Sequence, residues 1–260
     1  MKRRPIFTVL ALGLSLLAAL TLATPSAAQT PTSGTPLQVV ASFSILGNLV
    51  ETVGGDAVQV TTLIGPGVDA HTYDPAPGDL VVLSEAAIVF ENGLGFEPWL
   101  DRFYESSQPS AERVAVSDGL ALREAGENHE EGAEPEGAAG HEHGEIDPHV
   151  WHDVANAIVM VENIRDALVA VDPAHAEEYE ANAAAYIAEL EALDAAIREQ
   201  VATLPEERRK LVTSHDTFGY FADAYGFAVL GTGFGSLSTE VGDPSARDIA
   251  MLIEAIQDAG

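Results

Sequence analysis

The stretch DPAHAEEYEANAAAYIAELEALDAAIREQVATLP, residues 172–205, decides how this chain is organised. Within it Tyr179, Ala183, Tyr186, Leu190, Leu193, Ile197 and Val201 recur at steps of four and three. That spacing lays a single apolar stripe along a helix of about seven turns. Asp172-Pro173 supplies a capping side chain and a favoured first-turn proline, and Leu204-Pro205 stops the helix. One stripe of this kind can serve a coiled coil. Flanked as it is by strand-helix alternation, it is expected to pack across a globular body.

Upstream, strands and helices alternate. Leu37–Ser42 reads as a buried strand, Ile45–Val53 as a helix stopped by Gly54-Gly55, and Val58–Leu63 as a second strand. A Gly-Pro-Gly loop then carries His71. Pro75–Ala86 reads as a helix, Ala87–Phe90 as a strand, Gly93–Glu105 as a helix with Trp99 and Phe103 inward, and Arg113–Val116 as a strand. This spacing points to a parallel sheet with helical crossovers. A further helix spans about Asp153–Val171.

Downstream of the long helix the alternation resumes after Arg208-Arg209-Lys210. Leu211–Thr213 and Phe227–Leu230 read as strands, with a helix at Phe218–Tyr225 between them. Residues 231–243 are a Gly-rich loop, and Pro244 opens a helix to about Gln257. Two strands make a poor half-sheet. The expected fold class is therefore α/β, with two parallel-sheet lobes joined by a long rigid helix, the second lobe truncated in this sequence. The expected segments are 1–28, 29–36, 37–152, 153–205 and 206–260.

The first segment is an address. Lys2, Arg3 and Arg4 precede an apolar run from Ile6 to Ala23, and Pro25-Ser26-Ala27-Ala28 places small residues at the −3 and −1 positions of a cut after Ala28. This is the secretory pattern. An uncut membrane anchor is the alternative, since the run approaches the ~18 residues at which spanning begins. Residues 29–36 form a polar lead-in.

The 260 residues carry 12 Lys plus Arg against 41 Asp plus Glu, for a formal charge of −29, with 47% hydrophobic residues. That apolar content argues against wholesale disorder, which pairs high charge with low hydrophobicity. Nucleic acid is excluded as a partner, because a basic face cannot be built. There is no Cys. Disulfides, thiolate metal sites and lipid attachment through Cys are thereby removed.

Eight His in so acidic a chain favour cations. His71 lies in GPGVDAHTYDPAP, His149 in DPHVWHD and His215 in LVTSHDTFGYF, each at a strand end or loop. Ligands of open α/β sheets bind where such loops converge, and three neutral imidazoles with one oxygen suit tetrahedral zinc. A lone loop His is more often merely hydrogen-bonded, so the three matter as a set. Residues 124–147 hold nine carboxylates and three further His (His129, His141, His143), with no large apolar residue before Ile146. Such a stretch reads as a solvated loop.

Three runs, His71-x-Tyr73-x-Pro75-x-Pro77, Asp147-Pro148-His149-Val150-Trp151 and Ser214-His215-Asp216-x-Phe218-Gly219-Tyr220-Phe221, together with Pro244-Ser-Ala-Arg247, occur in order. In this the chain resembles the metal-binding receptors of bacterial ABC importers, specifically the zinc-uptake substrate-binding proteins, over about residues 37–260. The resemblance implies two α/β lobes bridged by a rigid helix, with the metal in the cleft. His71 and His149 would come from the first lobe and His215 from the second. Manganese-type relatives carry a carboxylate in place of His215, so the resemblance favours Zn²⁺ over Mn²⁺. The acidic insert is also implied, and His129, His141 and His143 would capture zinc weakly; a plain solvated charge run is the alternative. The family's fourth, carboxylate ligand lies beyond residue 260, leaving water, Glu240 or Asp243 for that place. His152 stands where the family has an apolar residue. Asp147 and Asp216 are placed to orient ligating imidazoles, or merely to cap locally.

The expected function is capture of Zn²⁺ outside the cytoplasm, periplasmic or at the cell surface, by a monomer. Delivery would be to a membrane permease and its ATPase, with no enzymatic turnover. Neutral His are needed, so affinity is expected to fall as pH drops through roughly 6–7. A secreted zinc buffer or adhesin of the same fold is the alternative. A zinc hydrolase is a third reading, but no H-E-x-x-H motif occurs and Gly233–Ser238 is not a nucleophile elbow.

Overall fold

In the computed structural model, residues 34–107, 110–124, 146–213 and 215–232 are described, with short helical pieces at 249–250, 253–254 and 256–257. The expected cleavage site after Ala28, the insert histidines His129, His141 and His143, and Glu240 and Asp243 lie outside the described residues. Among the described residues no helix is long and apolar enough to cross a membrane.

The first half is built from strands β1 (Leu37–Phe43), β2 (Val58–Ile64), β3 (Ile88–Glu91) and β4 (Glu112–Ala115). Helices α1 (Ser44–Gly54), α2 (Pro77–Glu85) and α3 (Leu100–Ser107) connect them. All pairings are parallel and the order is β2-β1-β3-β4. Val39, Val40 and Ala41 on β1 and Ile88, Val89 and Phe90 on β3 are all buried. A central parallel strand is covered on both faces, so it needs such an unbroken apolar run rather than an alternating one. The edge strand β2 can show Gln59 to solvent.

The chain runs from β1 to β2 on one side and then crosses to β3 on the other. The loops leaving β1 and β3 therefore diverge, and the crevice this leaves at the carboxyl ends is where open α/β sheets bind ligands.

Helices α4 (Val154–Val171) and α5 (Ala176–Ala202) follow. Asp153 caps α4 by accepting from Ala155 N. The 27 residues of α5 reach about 40 Å at 1.5 Å per residue. Near its start Tyr179 and Ala183 are buried and Asn182 donates to Val53 O of α1. Near its end Asp194 accepts from Tyr225 Oη, and Arg198 donates to Ala224 O. One helix thus bears on both halves. Leu193 departs from the expected stripe: it is half exposed, and at that level the polar bonds to Tyr225 and Ala224 hold the helix. The second half comprises β5 (Lys210–Thr213), α6 (Gly219–Tyr225) and β6 (Ala228–Thr232), with β5 and β6 parallel. The parallel α/β architecture expected from the sequence is the one observed.

One expected element is shorter. The helix placed at Gly93–Glu105 begins only at Leu100. Gly93, Leu94 and Gly95 all take positive φ (82°, 57° and 76°), which an α-helix cannot include. Glu97 holds this turn, accepting from Asn92 N, Gly93 N and Ser42 Oγ.

Candidate metal centre

Each of the three histidines is delivered by a short, fixed piece of chain. His71 sits in the loop after β2, where its own N–H donates to Asp69 Oδ1. That loop is closed further on by Asp79, which accepts from Tyr73 Oη and from Ala76 N at the start of α2. His149 precedes the 3₁₀ turn Val150–His152. Its backbone N–H and its ring Nδ1 both meet Asp147 Oδ1, at 3.0 and 2.9 Å. His215 follows β5 and its carbonyl accepts from Thr213 Oγ1.

These three pieces converge. One ligand nitrogen from each of His71, His149 and His215 lies within 4.8 Å of the other two. His71 Nε2 and His149 Nε2 are 3.3 Å apart. Two nitrogens at the usual zinc distance on a tetrahedral ion are separated by ~3.3 Å, so this pair already has the spacing of one tetrahedral edge. His149 is buried while His71 and His215 are half-buried, so the cluster opens to solvent on one side.

The surroundings set protonation. Burial first, and then the neighbouring His149 ring, brings the His71 pKa down to about 4, with Asp69 opposing and His215 adding the smallest push. Burial first, and then His149, also lowers His215. Burial alone would raise the Asp147 carboxyl, but hydrogen bonds from His149 and Arg123 outweigh it and hold the group below the usual range. An ionised Asp147 accepts, so His149 carries its proton on Nδ1 and presents a bare Nε2 lone pair. His71 is then the donor of the Nε2 pair, and a cation entering the cluster takes the place of that proton. Phe96 and Trp151 wall the rings, with centroids 5.1 Å from His71 and 5.5 Å from His149 respectively.

Other sequence candidates fall elsewhere. His152 lies outside the trio, stacked on Phe218 at 4.4 Å and 3.4 Å from Thr217 Oγ1; burial, and next His149, brings its pKa down to about 4. Among the described residues the trio is the one such gathering of His, Asp and Glu ligand atoms. Asp147 orients a ring, as adjacency suggested. Sequence reasoning passed over Arg123, whose guanidinium lies 2.9 Å from Asp147 Oδ2, and over Glu97. A lone Arg before an acidic insert and a Glu within Gly-Phe-Glu-Pro-Trp were the available signals.

Fold and site together define an α/β protein with a three-imidazole centre at the ends of parallel strands. The family model of the periplasmic zinc-uptake complex component A (ZnuA) matches residues 39–260, and the chain belongs to that family. The manganese-binding lipoprotein MntA of Halalkalibacterium halodurans is 40% identical over 205 residues, 78% of this chain and 62% of that protein. The iron-binding protein YfeA of Yersinia pestis is 38% identical over 192 residues, 73% of this chain and 57% of that protein. The chain thus spans less than two thirds of the length of these two relatives. The solved periplasmic zinc binding protein TroA from Treponema pallidum matches with a TM-score of 0.74 at 33% identity, covering 87% of this chain and 76% of that one.

Proposed function

We propose that this chain is an extracytoplasmic receptor that captures a divalent ion, Zn²⁺ before Mn²⁺ or Fe²⁺, on His71, His149 and His215. It passes the ion to the permease and ATPase of an ABC importer. The observation that carries this reading is the convergence of three imidazole nitrogens within 4.8 Å, one pair at a tetrahedral edge. Relatives are named for manganese, iron and zinc, so the choice of metal rests on the ligands. Three nitrogen donors bind later first-row ions more tightly than Mn²⁺, and a d¹⁰ ion accepts a tetrahedral set without penalty. A secretory start at Lys2–Ala28 fits an extracytoplasmic place.

Capture is favoured over turnover by the state of Asp147, the carboxylate bonded to the His149 ring. Asp147 accepts from His149 at Oδ1 and from Arg123 at Oδ2, so both of its oxygens are engaged in holding the site in place. The insert histidines His129, His141 and His143 are proposed only as weak auxiliary ligands.

The test is metal content and competition. Purified protein stripped with chelator and titrated with Zn²⁺, Mn²⁺ and Fe²⁺ is expected to take one zinc tightly per chain, in preference to the others. Failure to retain any divalent ion at stoichiometric level overturns the reading, and a clear preference for Mn²⁺ overturns the choice of zinc.

A further inference from the structure

Arg123 immediately precedes the acidic insert and is almost wholly buried. Its guanidinium is shared between two carboxylates. Nη1 donates to Asp147 Oδ2 at 2.9 Å and Nε to Asp223 Oδ2 at 3.0 Å. Asp147 is the residue that orients the His149 ring. Asp223 lies on α6, the helix that begins four residues after His215. Tyr220, also on α6, completes the joint: its hydroxyl donates to Asp147 O and accepts from Arg123 N, and its ring lies 5.8 Å from the guanidinium carbon. At Gly219 a Cβ would stand 1.7 Å from Arg123 Nη1, so α6 meets the arginine at its one residue without a side chain.

Resting on the reading of the trio as a metal site, we propose that Arg123 is a positioning residue that couples metal affinity at His149 to the seating of α6. One face of the planar fork fixes Asp147 and hence the imidazole; another holds the helix whose leading loop carries His215. The two halves of the site are thereby drawn together through a group that touches no metal. Only arginine does this, because a lysine ammonium is a point charge on a flexible stem and cannot present two fixed faces at once. Asp223 is half exposed, so its arm is the accessible end of the clasp.

A double-mutant cycle tests it, with Zn²⁺ as probe, competed against a chromophoric chelator. Partners that orient a ligating imidazole typically matter by 10–100-fold in metal affinity. Arg123→Lys is expected to weaken zinc binding at the low end of that range, ~10-fold, and Asp223→Asn alone likewise, although Asp223 is no ligand. The double variant is expected to be no weaker than either single one, because both break one linkage. The visible absorption of Co²⁺ bound at the site should change in both variants, which a loss of stability alone would not produce. Unchanged affinity in Asp223→Asn, or a double variant weakened by the product of the two single effects, overturns the proposal. If Arg123→Lys does not fold, Asp223→Asn still decides, since it leaves the Arg123–Asp147 pair in place. Wild-type protein that binds no zinc at all defeats the assignment of the site instead, so the two failures are told apart.

Discussion

His71 Nε2 and His149 Nε2 lie 3.3 Å apart across 78 residues of sequence. Two unprotonated rings would repel at that distance, lone pair against lone pair. The pair is relieved by one shared proton or by one shared cation, and Asp147 has already assigned the tautomer of His149 so that its Nε2 can accept either.

Removing any one ring should therefore remove the site rather than trim it. His71→Ala, His149→Ala and His215→Ala are each expected to weaken zinc binding by two orders of magnitude or more. His175→Ala should change it less than threefold: its Nδ1 is paired with Asp172 beside the start of α5, and it is not one of the gathered ligands. Competition titration of the four variants checks this, and a His175 variant as weak as the others would discredit the ligand set.

The pH profile should sit lower than unperturbed histidines would give. Burial keeps His71 neutral down to about 4, so protonation of His71 itself is expected to cut into zinc affinity only as pH approaches 4. In the metal-free protein the sign is fixed by linkage. His71 has a folded pKa below its unfolded value of 6.5, so the unfolded chain takes the proton first. Stability contributed by His71 is lost as pH falls from 6.5 to 4 and levels off below that. Zinc titrations at half-unit steps, with denaturant melts of wild type and His71→Asn, measure both curves.

How far the chain could be read in advance follows from which signals are local. Val39–Ala41 and Ile88–Phe90 announce buried parallel strands because burial on both faces demands apolar residues in sequence. The three histidines were legible as candidates because each sits in a stiff local frame, His71 and His215 in loops after strands and His149 in Asp-Pro-His-Val-Trp before a helix. The clasp at Arg123 was not, since it is made by residues 24 and 100 positions away, with no periodicity to betray the pairing. The turn at Gly93–Gly95 was missed for another reason: Gly-Leu-Gly reads as a weak helix start. Only the hydrogen bonds from Asn92 N and Gly93 N to the Glu97 carboxylate, formed in the fold, select the left-handed conformers.

Gly219→Ala offers a steric test of the α6 joint. The new methyl would meet Arg123 Nη1 at 1.7 Å and Asp147 Oδ2 at 2.8 Å, in a buried ion pair. The arginine has to retreat, and overpacking of this kind typically costs about 1–3 kcal/mol. The variant is expected to fold with a lowered melting temperature; an unchanged or raised one would show that α6 does not lean on Arg123.

Glu97 carries the opposite pH signature to His71. Burial pushes its pKa up to about 7, against the bonds from Ser42 Oγ, Asn92 N and Gly93 N that favour the charged form. Its folded value stands above the ordinary carboxyl value of 4.5, so the native state holds a proton that the unfolded chain has released. Stability due to Glu97 therefore falls as pH rises from 4.5 to 7 and is steady outside that window. Glu97→Gln keeps one acceptor oxygen but cannot ionise, and leaves an amide group facing one of the former donors. The expected result is a variant that is destabilised most at pH 4.5 and least at pH 7, measured as the difference in unfolding free energy between metal-free wild type and Glu97→Gln. A difference that stays constant across those pH values would show that Glu97 is ionised throughout, with its three donors outweighing burial, and that the turn at Gly93–Gly95 is clamped by a full negative charge.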